Sequence, residues 1–150
     1  MKFNKFIKSC EGHGVICKFD GDLWLTCGTV MMLLPEYSKG VVADSVLPIP
    51  DYLIDVINNM DRNECELVEA RLRTPDGKSK DIIRVFEDGD GIRFSISNTD
   101  YGLLEKSDNT MLVFINDAAV ALGVYDHNYE MVGAFIDPTY IKNITNKTEE

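Results

Sequence analysis

Cys10, His13 and Cys17 crowd into the stretch SCEGHGVICKF, residues 9–19, and Cys27 follows shortly after. Together they offer two kinds of chemistry: a Cys₃His zinc site, or a thiolate nucleophile with a histidine base. The spacing argues against both. Intervals of x₂, x₃ and x₉ are not the short paired turns in which structural zinc sites hold their cysteines. Cys10 instead completes an apolar stripe at helical spacing, where a cysteine acts as a small hydrophobe. Cys17 falls within a strand-like run, with no helix N-terminus to lower its pKa. The stretch therefore reads as the end of a helix followed by the start of a strand, with buried thiols and no metal. A small enzyme or zinc protein built on the Cys10–Cys27 region stays as a third alternative.

A second acidic stretch, FEDGDGIRF, invites a calcium reading through Asp88 and Asp90. An EF-hand loop counted from Asp88 needs ligands at positions 1, 3 and 5, glycine at 6 and glutamate at 12. Ile92, Arg93 and Thr99 occupy the last three of those positions, so the match fails. A glycine-rich turn between strands accounts for the same residues. Phosphate-loop, dinucleotide-binding, HExxH and GxSxG patterns are all missing from the chain. Acid–base pairs can always be chosen from 25 acidic residues, so none is singled out. His127 lies in the turn-like YDHNY. No catalytic residue and no cofactor is assigned.

Charge is the more informative property. The 150-residue chain carries 25 acidic against 15 basic residues, a formal net charge of -10. Such a surface repels nucleic acid and anionic membranes and suits a basic protein partner. The acids concentrate in Asp51, Asp55, Asp61, Glu64, Glu66 and Glu69, with Asp88 and Asp90 as a second group. Against that trend, Lys2, Lys5 and Lys8 form a basic stripe on the first helix.

The elements that must position these residues follow from periodicity. Phe3, Phe6, Ile7 and Cys10 repeat at i, i+3, i+4, i+7, a helix that Gly12 or Gly14 can end. VICKF–DGD–LWLTC reads as a hairpin, because Asp-Gly supplies positive φ angles. TVMMLLP continues as a strand. After the loop EYSKGVVADSVLPIP, Pro50 opens a second helix with the stripe Leu53, Val56, Ile57, Met60. ELVEARLR and KDIIRVFE flank the turn TPDGKS, GIRFSIS alternates, MLVFIND reads as a buried strand, and AVALGVYD–HNY–EMVGAFID as a third hairpin with bulges at Gly123 and Gly133. The expected fold is α+β, two helices on a mainly antiparallel β-sheet, in one domain over 1–150 with a frayed tail at 142–150. The composition, 45% hydrophobic, suits a soluble domain. The longest apolar run, LWLTCGTVMMLLP, is too short to span a bilayer, and no secretory signal is evident. A cytoplasmic location is expected.

The helix KFNKFIKSC, the hairpin VICKFDGDLWLTC, the helix PDYLIDVINNM and the hairpin LVEARLRTPDGKSKDIIRVFE together resemble, in element order, a sliding-clamp domain. That resemblance covers roughly the first 90 residues and implies a DNA-clamp-like fold, acidic overall, with basic helices facing DNA. The sequence departs from it where Asp55 and its neighbours occupy the second helix. A ring also contains six such domains, so this chain would have to form a homo-oligomer. VALGVYDHNYEMVGAFIDP resembles the compact style of small phage and mobile-element proteins, which would act in the host cytoplasm.

Two functional expectations follow. The first is a non-enzymatic binding protein that presents Asp51, Asp55, Asp61, Glu64, Glu66 and Glu69, then Asp88 and Asp90, to a basic host protein. That partner is expected to be a nucleic-acid-handling or defence protein, inhibited through mimicry of DNA phosphates. The alternative is a clamp-like homo-oligomer that tethers a partner to DNA through Lys2, Lys5 and Lys8.

Overall fold

Two-residue turns with positive φ are how this chain folds back on itself. Asp20 and Gly21 (φ 51° and 82°) form one, and Asn116 and Asp117 (53° and 65°) form another. Their twist matches that of antiparallel strands, and short polar Asn and Asp tolerate the left-handed region.

The computed structural model describes residues 1–10, 13–35, 47–72 and 81–149, with side chains as far as residue 144. The N-terminal part forms α1 (Phe3–Ser9), β1 (Val15–Phe19), β2 (Asp22–Cys27), β3 (Val30–Leu33), β4 (Leu47–Pro48) and α2 (Asp51–Asn58). The middle forms β5 (Arg62–Leu72), β6 (Ile82–Asp88), β7 (Arg93–Ser97) and α3 (Asn98–Tyr101). The remainder forms β8 (Asn109–Ile115), β9 (Ala118–Tyr125), β10 (Met131–Ile136) and α4 (Pro138–Glu149). The expected TPDGKS turn and most of the EYSKGVVADS loop lie outside the described residues.

The strands make one ten-stranded sheet in the order β4-β1-β2-β3-β10-β9-β8-β5-β6-β7. Every described pairing is antiparallel except that of β4 with β1. The sheet is thus three meanders joined edge to edge, with β8–β10 in the centre. The α+β class with a mainly antiparallel sheet is as the periodicity implies.

Alternation divides the side chains between two cores. Leu23, Leu25, Val30, Met32, Leu112, Phe114, Leu122 and Phe135 pack on one face with Phe6 and Cys10 of α1. Trp24, Met31, Val113, Ala134 and Tyr125 pack on the other with Leu53 and Val56 of α2, joined by Tyr140 and Ile141 of α4. The strand β5 links two parts of the sheet. Its residues 62–64 pair with β8, whereas 65–72 pair with β6, with an irregularity between Leu67 and Glu69. A bulge of this kind bends and twists a strand. The β5–β7 ribbon accordingly contributes Phe86 and Ile96 to the first core.

Several sequence expectations need correction. There are four helices rather than two among the described residues. Residues 142–149, expected as a frayed tail, lie in α4, whose first turns pack Tyr140 and Ile141 against the second core. The helix α2 stops at Asn58 and leaves Met60 78% exposed. Its terminator is Asn59, whose side-chain amide donates to Phe114 O (2.8 Å) while its carbonyl accepts from Asp61 N–H (2.7 Å). Ile7 is likewise 43% exposed rather than part of the buried stripe of α1.

Gly133 does border an irregularity between Met131 and Gly133, but Gly123 is in regular register between Met111 and Ala134. Its smallness serves packing. A Cβ at Gly123 would lie 2.6 Å from the Tyr125 hydroxyl oxygen, so the Tyr125 side chain occupies the space a side chain at 123 would need. Tyr125 is fully buried. The Arg62 guanidinium stacks over its ring at 4.6 Å, a position over the ring face, and the hydroxyl has no hydrogen-bond partner among the described residues. Burial raises the phenol pKa, and Arg62 offsets part of that rise.

This arrangement predicts opposite outcomes for two substitutions in urea unfolding. Gly123→Ala overpacks the site and should cost about 1–3 kcal/mol. Tyr125→Phe removes an unpaired buried hydroxyl and should be neutral or stabilising by roughly 1 kcal/mol. A large loss in Tyr125→Phe would show that the hydroxyl is bonded after all.

Candidate functional site

The sheet itself disperses the opening cluster of cysteines and histidine. Cys10 lies in the first core with Cys27 packed against it, whereas Cys17 lies in the second, across the sheet. His13 is exposed in the turn after α1, where its N–H donates to Cys10 O (2.9 Å). Among the described residues no group of three His, Cys, Asp or Glu is arranged to hold a metal ion. Burial, reinforced by the neighbouring Cys27 thiol, pushes Cys10 up to about 11. Burial also raises Cys17, and takes Cys65 to about 11. At neutral pH these three are thiols, and the thiolate is the nucleophile.

Asp88 and Asp90 build a turn. Asp88 is 7% exposed. Its Oδ1 accepts the N–H groups of Asp90 and Ile92 (both 2.9 Å), and its Oδ2 accepts from Asn63 (3.1 Å). The carboxylate of Asp88 is fully engaged in closing β6 onto β7 and is turned away from solvent. Asp90 is exposed and takes only a long bond from Asn63 (3.4 Å).

The acids of α2 and two of the acids of β5 belong to the same face of the sheet, the one that carries the second core. In α2, burial of Leu53 and Val56 turns Asp51 and Asp55 outward. Asn59 then fixes the step into β5 through its two hydrogen bonds, and Asp61, whose carbonyl accepts from Phe114 N–H one residue before Arg62, is exposed on the other face. Along β5 alternation takes over. Arg62 pairs with Val113 and Glu64 with Met111, both in the second core, so Arg62, Glu64 and Glu66 emerge on the α2 side. Asn63, Cys65 and Leu67 face the other way. Arg62 is used over the Tyr125 ring. Asp55 also lies near Tyr140, whose pKa is raised by burial and then by that carboxylate.

Register adds two residues that sequence reasoning missed. Glu66 sits opposite Glu87, and Glu87 opposite Arg93, in one row across β5, β6 and β7. Arg93 donates to Glu87 (3.1 Å) and to Glu69 (3.3 Å). Glu69 therefore belongs to an exposed ion-pair network with Arg93 and Glu87. Asp51, Asp55, Asp61, Glu64 and Glu66 are exposed and form no ion pair with any described residue. The irregularity between Leu67 and Glu69 follows just after this row, and the sequence carries no local signal for it.

The lysine stripe is exposed at Lys2, Lys5 and Lys8, and the Lys5 ammonium donates to Gly102 O (3.2 Å). The helices α1 and α2 contribute to different cores on opposite sides of the sheet, so they do not share one surface. A pocket of about 530 Å³ opens beside α1, lined by Phe3, Met32, Leu34 and Val132 with Asp108 and Asp126 at its margin. Both carboxylates are engaged. Asp108 pairs with the Met1 amine (2.9 Å) and accepts from Glu105 N–H (2.8 Å), and Asp126 accepts from Asn128 and Glu130. Among the described helices none is long and apolar enough to cross a membrane.

Comparison with protein-family models, with curated proteins and with solved structures finds no match.

Asp88 makes a pH prediction with a definite sign. Its burial opposes ionisation, but the hydrogen bonds from Asn63 and from the Ile92 and Asp90 N–H groups outweigh it, so its pKa is lowered. A carboxylate depressed in the folded state stabilises above its unfolded pKa, about 3.9, and that contribution fades as the pH falls through the native value. Asp88→Asn should therefore lower Tm at pH 7, and its gap from the parent should narrow in melts run below about pH 4. A pH-independent gap would assign the loss to shape rather than charge.

Proposed function

We propose that this protein is a non-catalytic binding protein that presents an acidic face to a basic groove on a partner. The observation that carries the reading is the set Asp51, Asp55, Glu64 and Glu66, exposed on the sheet face that carries the second core and without ion pairs to described residues. Supports on both flanks hold this set in place. The helix α2 is anchored by Leu53 and Val56, and β5 by its pairing with β8 and β6. Carboxylates held in this way need little reordering on binding. The net charge of -10 extends the field beyond the face itself and speeds encounter with a cationic surface.

The partner chemistry that fits is a groove lined with lysine and arginine of the kind that holds nucleic-acid phosphates. Occupying it would exclude DNA, so the expected activity is inhibition by phosphate mimicry, in the cytoplasm where such partners work.

The test uses purified sequence-independent DNA-binding proteins and a fluorescent duplex. The parent should displace the duplex from at least one of them. The double reversal Asp55→Lys/Glu66→Lys should weaken displacement by about tenfold or more, since each reversal converts attraction into repulsion. Reversal of Glu69 and Glu87, already paired with Arg93, should matter less. No displacement by the parent, or equal displacement by the double reversal, would refute the reading.

A further inference from the structure

The two ends of the sheet differ in how they are protected. At one end β4 is two residues long and contains Pro48, which has no N–H to donate. At the other end β7, with the sequence RFSIS, is five residues long and free of proline. Long unpaired edges normally carry some such block, because they are templates for further pairing.

The phase of the hydrogen bonds along β7 follows from its turn. Asp88 N–H donates to Ile92 O (3.0 Å), so residues 88 and 92 are a hydrogen-bonded pair. Alternation along the antiparallel register makes Phe86–Phe94 and Arg84–Ile96 the next bonded pairs. Arg93 and Ser95 therefore turn their N–H and C=O groups outward, and among the described residues no strand pairs with them. Arg93, the one charged residue of β7, does not guard the edge. Glu87 and Glu69 hold it across the sheet face.

A cleft of about 420 Å³ runs beside this strand. All five residues of β7 line it, those of one face and those of the other, so it follows the free edge. Ala119, Phe135 and Pro138 form an apolar wall, and Asp100 and Asp137 supply carboxylates. Neither carboxylate is ion-paired with a described residue. Asp137 accepts from Thr139 N–H (2.9 Å). Asp100 is half-buried, and burial raises its pKa against a bond from Ser97.

We propose that β7 is a docking edge for an extended, basic segment of the partner, which adds as a further strand and sets a lysine or arginine against Asp100 and Asp137. Only an extended backbone matches outward N–H and C=O groups at this repeat. A cationic side chain relieves the two unpaired carboxylates. A second copy of this chain fits less well, because it brings another net charge of -10 to the contact. The inference rests on the reading of a basic partner and adds where its chain would run.

The test uses a capped heptapeptide of alternating valine and lysine. Its controls are the glutamate counterpart and two versions N-methylated at every second residue, one in each phase. Binding is followed by calorimetry, and amide hydrogen exchange is followed residue by residue. The lysine peptide should bind and slow exchange at Arg93 and Ser95, and the glutamate peptide should not. One N-methylated phase, and the variant Ser95→Pro, should each lose about tenfold in affinity, the value of a hydrogen bond or two. Asp100→Asn should lose affinity as well, whereas Asp55→Lys/Glu66→Lys should change it little. If Ser95→Pro does not fold, the N-methylated peptides on the parent protein carry the same test.

Four results would overturn the proposal: no binding of the lysine peptide, equal binding of both N-methylated phases, protection that falls on α2 and β5, or protection of β7 that appears with protein concentration alone. The third would leave the acidic-face reading standing while removing the edge. The fourth would make a second copy the occupant.

Discussion

The strand β9 is apolar on both faces, and a strand of that kind cannot face water on either side. Leu122 and Val124 point into one core while Ala121 and Tyr125 point into the other, all fully buried. Each fully buried large apolar side chain contributes on the order of 1.5–3 kcal/mol, so both covers are needed. On one side α1 and the β5–β7 ribbon provide the cover. On the other it is α2 and the first turns of α4. The proposed binding surfaces lie on the outer sides of these covers.

The same burial explains where charge can accumulate. Leu53 and Val56 hold α2 down, and a helix held by one stripe is free to be acidic on the opposite stripe. The ribbon cannot cover the first core without bending, and the irregularity between Leu67 and Glu69 falls a few residues after β5 leaves β8 for β6. Just before it Glu66, Glu87 and Arg93 stand in one row, so part of the acidity is offset by Arg93 and part is left exposed. The exposed part is destabilising to the isolated protein through like-charge repulsion. Binding a cationic surface would relieve it. The ribbon also ends in β7, so the bend that completes the core leaves an unpaired edge beside a cleft.

Local chemistry was legible in the sequence. Asp20-Gly21 forms the expected tight turn, FEDGDGIRF forms the expected turn between strands, and Cys10 and Cys17 are buried. Each follows from a few adjacent residues. Less legible was whatever depends on a distant partner. The end of α2 is set by the reach of Asn59 to Phe114, and the absence of a side chain at Gly123 by the ring of Tyr125. Just before the polar tail at 142–150, Tyr140 and Ile141 find a core that only the assembled sheet creates. Four of the acids read as a face, Asp51, Asp55, Glu64 and Glu66, belong to one face of the sheet. Asp88 does not, because alternation and its turn bury it, and Glu69 is claimed by an arginine from β7. Glu87 and Arg93 could be added only from the register across three strands.

An acidic face that works by long-range attraction leaves a kinetic signature that a shape-driven contact does not. The most direct measurement is the association rate constant with a captured basic DNA-binding protein, by stopped-flow mixing over a series of salt concentrations. The account predicts a rate that falls steeply as salt rises, with a dissociation rate that changes far less. An association rate indifferent to salt would contradict it.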